Sequence, residues 1–300
     1  MAGETILLFG ATGQLGCALY QKLSRFSKIV VPERQTADFL NPESLATTIR
    51  ETAPSLIVNA AAYTAVDWAE EDEERAIAVN TIAPKVLAEG AEQLGATLIH
   101  VSTDFVFDGR ADRPYLETDE TAPLNVYGRT KRDGEDAIQE SGVSHLIFRT
   151  SWIYTQNGIN FLRTMERLFQ ERDEVRVVAD QIGTPTWAGT LAEAMSSIIR
   201  MGTGSPELYV ENSGIYHMTG AGQTSWHGLA SSYFEARKSQ GISYRCKSVK
   251  PISSDEYPTP ARRPAYSVLD SNQLERAFGV VLPSWEIQLS EFLGEPSPQQ

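Results

Sequence analysis

At 300 residues with 41% apolar side chains, the chain has room for one large domain, or a principal domain with a smaller lobe, around a buried core. A formal charge of −13 with no basic stripe argues against a nucleic-acid partner. No apolar run approaches the roughly 20 residues of a membrane helix, and "MAGETILLFGATG" lacks the basic region and cleavage site of a leader, so a cytoplasmic protein without membrane contact is expected.

The first half alternates short β-rich runs with longer helical patterns. The runs are "TILLF" at 5 to 9, "KIVV" at 28 to 31, "SLIVNA" at 55 to 60, "TLIHVS" at 97 to 102 and "SHLIFRTS" at 144 to 151. They are apolar throughout instead of alternating, which suits strands covered on both faces. The expected fold is therefore α/β, a Rossmann-type doubly wound parallel sheet. Between the third and fourth runs, "DWAEEDEERAIAVNTIAPKVLAEGAEQLG" reads as helix, with an acidic first turn, Pro84 as a bend or break and Gly95 as a stop signal.

After about residue 152 the rhythm changes. "VRVVAD" at 175 to 180 still reads as a strand, but "IGTPTW", "ENSGIYHMTG" and "PISSDEYPTPARRPAYS" are rich in turn residues and proline. We expect a dinucleotide-binding core over residues 1–151 and mainly a substrate-binding lobe over 152–300, with about 175–201 returning to the core. The final "SPQQ" reads as a frayed end. Cys17 and Cys246 are too few for a disulfide framework and read as buried, inert thiols.

Three segments carry candidate chemistry. The first run opens directly into "GATGQLG", whose Gly10, Gly13 and Gly16 permit a tight turn and close approach of a pyrophosphate to backbone N–H groups at a helix start. The fourth run ends in "VSTDFVFDG", which places Ser102, Thr103 and Asp104 at the carboxyl edge of the sheet, where ligands of open α/β sheets bind. Ser, Thr and Asp at a strand end equally suit capping of a turn. In "NVYGRTK", Tyr127 and Lys131 stand four residues apart on one helix face; a nearby ammonium would lower a phenol's pKa, as a proton-transfer residue needs.

Taken in order, "GATGQLG", "NAAAYTAVDWAE", "STDFVFDG", "ETDETAPLNVYGRTK", "FRTSWIY", "DQIGTPTW" and "YPTPARRPAYSVLD" resemble the dTDP-4-dehydrorhamnose reductase family of extended short-chain dehydrogenases/reductases, over nearly all of the chain. The resemblance implies reduction of the C4 carbonyl of a dTDP-sugar. Tyr127 would be the proton donor, Lys131 the residue that holds the nicotinamide ribose and lowers the tyrosine's pKa, and Thr103 a hydrogen-bond partner of the reacting oxygen. Asp104 and Trp152 would contact the sugar. For the cofactor, the resemblance assigns Gly10, Thr12, Gly13, Gln14, Leu15 and Gly16 to the phosphate loop, Asp38 and Phe39 to the adenine side, and Ala60, Ala61, Ala62 and Tyr63 to the loop after the third strand. Arg34, just after the second strand, suits a 2′-phosphate, so NADPH is expected with NADH tolerated, although neighbouring Glu33 suits the opposite preference.

Arg262 and Arg263 are candidates for clamping the substrate diphosphate, and equally for a structural ion pair in a proline-rich loop. Phe105 stands where the family more often has tyrosine. Some members hold magnesium at a dimer contact; here Gly189 stands where a glutamate can occur, so a homodimer would lack a metal bridge, and no metal is expected. Three rival readings share these motifs: an epimerase or dehydratase of the same superfamily, a reductase of another 4-keto nucleotide sugar, and a non-catalytic dinucleotide-binding subunit like that of methionine adenosyltransferase.

Overall fold

In the computed structural model, which describes residues 5–294, successive residues of β1 (Thr5–Phe9) face opposite sides. Ile6 and Leu8 join one apolar cluster, Leu7 and Phe9 another. That division is what an apolar run without alternation requires when both faces of a sheet are covered. The "SPQQ" end lies outside the described residues.

From β1 the chain enters α1 (Gln14–Leu23), β2 (Lys28–Val30), α2 (Pro42–Thr52) and β3 (Leu56–Asn59). The helical pattern that follows is broken into α3 (Val66–Ala69), α4 (Glu73–Ile77), one π-helical turn at Ala78–Ile82, and α5 (Ala83–Leu94). Pro84 comes directly after the π-helical turn, on helical backbone that runs on through Ile82 and Ala83, so the expected break in the pattern falls beside it. Gly95 ends α5 in the left-handed conformation, at φ 62°. After β4 (Thr97–Thr103), α6 (Val126–Glu140) and β5 (His145–Thr150) comes a second part: β6 (Ile153–Tyr154), α7 (Phe161–Glu171), β7 (Glu174–Val178), β8 (Ile182–Gly183) and β9 (Thr186–Trp187). It continues through α8 (Ala188–Gly202), α9 (Glu207–Glu211), β10 (Gly214–His217), β11 (Thr224–Ser225), α10 (Trp226–Ser239), β12 (Ser248–Ile252), α11 (Asn272–Phe278) and α12 (Trp285–Phe292).

The principal sheet has the order β2-β1-β3-β4-β5-β10, and all of its pairings are parallel. Chain order reverses between β1 and β3, which makes that boundary the topological switch point. Leu15, Leu19 and Leu23 of α1 pack with Leu191, Met195 and Ile199 of α8 on one face. Leu45 and Ile49 of α2, Leu87 and Ala91 of α5, and Ile138 of α6 cover the other.

Two segments differ from expectation. "GIYH", grouped by its neighbours with the turn-rich lobe, is β10, the sixth strand of the principal sheet. "VRVV" is a strand, but β7 pairs with β12 in a separate two-stranded sheet, and of the 175–201 stretch it is α8 that packs on the core. β7 belongs with a third cluster around Phe169, Tyr233, Phe234 and Trp285. Turn residues flanking a four-residue strand conceal it, and an apolar run does not reveal which sheet it joins. Cys246 is buried as expected, whereas Cys17 is exposed on α1.

Candidate active site

The switch point is built by close approach. Gly10, at φ +81°, lies so near β3's end that a Cβ there would fall 2.6 Å from the Ala60 carbonyl carbon and the Ala61 nitrogen. A Cβ on Gly16 would fall 2.0 Å from the Gly10 carbonyl oxygen, so the loop can fold back on its own helix only with glycine there. The N-terminus of α1 has no side-chain cap, which leaves its first N–H groups free for an anion. Thr12 and Gly13 are exposed beside it; Leu15's side chain is buried in the core, leaving only its backbone to face a phosphate. Gln14 donates to the Ile159 carbonyl at 3.2 Å, tying the loop to the second part of the chain. These features fit a dinucleotide pyrophosphate.

Along the same edge, Arg34 is exposed, and its side chain has no partner among the described residues. Asp38 accepts from the Leu40 N–H at 3.0 Å, and Phe39 packs edge-on against Phe9, 5.5 Å between centroids. Ala60 follows β3, and Ala61 donates to Asn59 Oδ1 at 3.0 Å. Beyond Ala62, Tyr63 is gripped at both backbone groups: its N–H donates to Asn80 Oδ1 at 2.8 Å, and Asn80 Nδ2 donates to its carbonyl at 3.2 Å. Asn80 lies in the π-helical turn and also reaches Thr130 Oγ1 of α6 at 3.1 Å. Sequence reading missed this residue; a π-turn has no spacing signature, although such turns gather at functional sites.

At β4's end, Thr103 caps a short 3₁₀ turn. Its hydroxyl accepts from the Phe105 N–H at 3.2 Å and donates to Asp104 Oδ1 at 3.1 Å. The capping role and the site position therefore coincide. Asp104 is buried, and burial raises its carboxyl to about 7 against hydrogen bonds from Ser267 and Thr103 that lower it.

Helix α6 begins at Asn125, whose side chain accepts from the Gly128 N–H at 2.8 Å and donates to the Arg262 carbonyl at 2.7 Å. A Cβ on Gly128 would lie 2.1 Å from the Phe105 carbonyl, so glycine is what lets α6 start beside the end of β4. Tyr127, half-buried, then faces Thr103, and its ring packs edge-on against Phe105, 5.7 Å between centroids. Its phenol is pushed up to about 12, by burial first and by Asp104's charge, with the Thr103 hydrogen bond acting the other way.

Lys131 is fully buried and makes no hydrogen bond to the phenol among the described residues. Its Nζ lies 2.9 Å from His100 Nε2 and donates to the Val101 carbonyl at 2.7 Å. Burial lowers its pKa to about 8 against the opposing charge of Glu135. The expected lowering of Tyr127's pKa by Lys131 is thus not met: the phenol is raised, and the nitrogen is bonded to His100 and the Val101 carbonyl of β4. His100 is fully buried and lies against Lys131.

Trp152 directly follows the edge, at φ 45°, and stacks on Trp226. Arg263 does not reach into the cleft: Nη1 and Nη2 donate to the two carboxylate oxygens of Asp67 at 2.9 and 2.8 Å. Arg262 is exposed, and its guanidinium has no partner among the described residues.

A parallel sheet with a glycine loop at its switch point and ionisable groups at the next strand end defines a dinucleotide-binding oxidoreductase of Rossmann type. The sequence matches the RmlD substrate binding domain family over residues 4–297, and the chain belongs to that family. It is 43% identical to the dTDP-4-dehydrorhamnose reductase of Shigella flexneri over 97% of each chain. It is 45% identical to that of Burkholderia thailandensis over 93% of this chain and 95% of the other. The crystal structure of dTDP-4-dehydrorhamnose reductase from Bacillus anthracis in complex with NADP superposes with a TM-score of 0.89, at 34% identity, covering 98% of this chain and all of that one.

Proposed function

We propose that this chain reduces the C4 carbonyl of dTDP-4-dehydro-L-rhamnose to give dTDP-L-rhamnose, with NADPH as reductant. The observation that carries the reading is the placement of Tyr127 and Thr103 together at the end of β4, on the sheet edge that also carries the Gly10 loop. NADPH, when bound, supplies the hydride. Tyr127 holds the proton that passes to the carbonyl oxygen, and its raised pKa keeps that proton in place across the physiological range. Thr103 orients the same oxygen by hydrogen bonding. The N–H groups at the start of α1 hold the pyrophosphate, and unpartnered Arg34 suits the 2′-phosphate that distinguishes NADPH from NADH. Asp104 and Trp152 contact the sugar.

The test is spectrophotometric NADPH oxidation with dTDP-4-dehydro-L-rhamnose, wild type beside Tyr127→Phe. We expect turnover in wild type and a loss of about 10² to 10⁴ in kcat in the variant, the usual worth of general acid catalysis. Wild type that binds NADPH and reduces no ketosugar would sink the proposal.

A further inference from the structure

The hydrogen bonds behind the edge fix where protons sit. Asn59 Oδ1 accepts from the Ala61 N–H at 3.0 Å, so the amide's orientation is set and its Nδ2 faces His100 Nδ1 at 3.0 Å. An amide nitrogen only donates. His100 Nδ1 must then accept, and the neutral imidazole carries its proton on Nε2. Reversing the amide would set two donors against each other at Ala61, in a site from which Asn59, His100 and Lys131 are all shielded from water.

The Nε2–H points at Lys131 Nζ, 2.9 Å away. An ammonium has donors only, so a charged Lys131 would meet donor with donor; a neutral amine offers a lone pair to Nε2–H while donating to the Val101 carbonyl. Protonating His100 is no escape, because burial, and then the charge of Lys131, hold its pKa well below the ordinary histidine value.

The other groups facing Lys131 are few. On its own helix Glu135 lies one turn on, and its carboxylate is held by Arg149 of β5 at 2.6 to 3.2 Å. Tyr127 lies one turn back; the π-helical turn packed on α6 presents uncharged Asn80 and Thr81. Asp104, beyond β4, acts on Tyr127.

We propose that His100 is a positioning residue that stabilises the neutral amine of Lys131, holding Nζ at the Val101 carbonyl with no hydrogen bond to Tyr127, and that dinucleotide binding releases it with uptake of a proton from solvent onto Nζ. The inference rests on the reading of this site as a dinucleotide-dependent reductase. Release completes the protonation of Lys131 and frees it toward the phenol when cofactor is present, so the proton donor is tuned mainly after binding. The bond from Nε2–H favours the amine, Glu135 favours the ammonium, and the balance falls where burial has already brought Lys131, to about 8.

The first test is nitrogen NMR of the histidine rings in cofactor-free protein, which has only four histidines to assign, at a pH near 8. We expect His100 neutral with its proton on Nε2; a proton on Nδ1, or a charged ring, overturns the proposal. The second is calorimetric titration with NADPH in buffers of different ionisation heat. At a pH near 8, where about half of Lys131 is already protonated, wild type should take up about half a proton per cofactor by linkage, rising toward one as pH increases, and His100→Gln, whose carbonyl can turn to accept from an ammonium, should take up far less. No uptake in wild type, or equal uptake in both, also overturns it. The tautomer is read on wild type, so the test survives a His100→Gln variant that fails to fold. Neither readout needs sugar turnover: protein that passes both and reduces no ketosugar keeps this inference and loses the reductase assignment.

Discussion

Trp152 and Trp226 stack face to face, with ring centroids 3.5 Å apart and planes 4° from parallel. Trp152 holds φ at 45°, a left-handed conformation that costs a bulky residue about 1–3 kcal/mol unless its surroundings enforce it. The enforcement comes from Trp226 on one side and Gly183 on the other, where a Cβ would fall 2.6 Å from the Trp152 ring. "DQIGTPTW" therefore has a packing reason: its glycine makes room for the indole, and the Thr184 carbonyl accepts from Ser151 Oγ at 2.6 Å. An aromatic stack adds about 0.5–1.5 kcal/mol beyond area burial. Trp226→Ala is expected to raise the sugar-nucleotide KM by about 2- to 10-fold, with the NADPH Kd unchanged. Steady-state kinetics and a fluorescence titration check it; equal losses in both constants would show general loosening and not a fault at the sugar site.

Arg263 and Asp67 join the proline-rich loop to α3 through two parallel hydrogen bonds, and Ala261 N–H adds a third to Asp67 Oδ1 at 3.2 Å. Arg263's hydrogen bond is the main cause holding Asp67 below the usual carboxylate range. Both side chains are partly exposed, so the pair is worth about 0–1 kcal/mol. A depressed carboxylate stabilises the fold above its unfolded pKa, and that share is lost as pH falls through the folded value. Asp67→Ala and Arg263→Ala should thus have small, similar and non-additive effects on urea midpoints at neutral pH. Arg262 is the guanidinium left free for a phosphate, and Arg262→Ala should raise the sugar-nucleotide KM about tenfold or more, the worth of a hydrogen bond to a charged group. An unchanged KM would remove Arg262 from the site.

Asp104 gives a pH dependence of stability with a definite sign. Its folded pKa is raised from 3.8 to about 7, chiefly by burial, so the folded chain holds a proton that the unfolded chain releases. Between those values stability falls as pH rises, by about 1.4 kcal/mol per pH unit for one such group. Asp104→Asn has no proton to lose and should escape this share of the decline. Urea midpoints of both proteins across that window test it: the variant should gain on wild type as pH climbs toward 7, and parallel curves would show that Asp104 ionises freely.

The sheet was legible because buried parallel strands announce themselves as unbroken apolar runs, and all five such runs of the first half became strands of the principal sheet. β10 was not, because only four residues form it and glycine, asparagine and serine surround them. The glycine loop and the Tyr127 position were legible for a similar reason, since close backbone approach and helix spacing leave marks in one segment. Asn80, Asn59, His100 and Trp226 act across distances of 17 to 74 residues, on Tyr63, Lys131 and Trp152, and nothing local records such pairings. Arg263 shows the converse difficulty: a guanidinium reads alike in sequence whether it meets a phosphate or a carboxylate.

Asn80 is where the fold meets the loop after β3 that we propose lines the cofactor. One amide holds both backbone groups of Tyr63 and the hydroxyl of Thr130, and the residue is 1% exposed. The π-helical turn is what aims it, by pushing one extra residue out of the α-helical register toward α6. Asn80→Ala would leave the Tyr63 N–H and carbonyl without their partner, and an unsatisfied buried group costs about 1–3 kcal/mol. The variant should therefore lose about 2–3 kcal/mol of stability by denaturant unfolding. Because the loop it releases, Ala60 to Tyr63, runs beside Gly10, NADPH binding should weaken by about tenfold or more, an estimate that converts one such cost into affinity. Asn80→Asp keeps the acceptor for the Tyr63 N–H and loses the donor to its carbonyl, so it should fall between alanine and wild type in both measurements. A variant that is destabilised while binding NADPH with full affinity would separate the two roles and place the cofactor away from this loop.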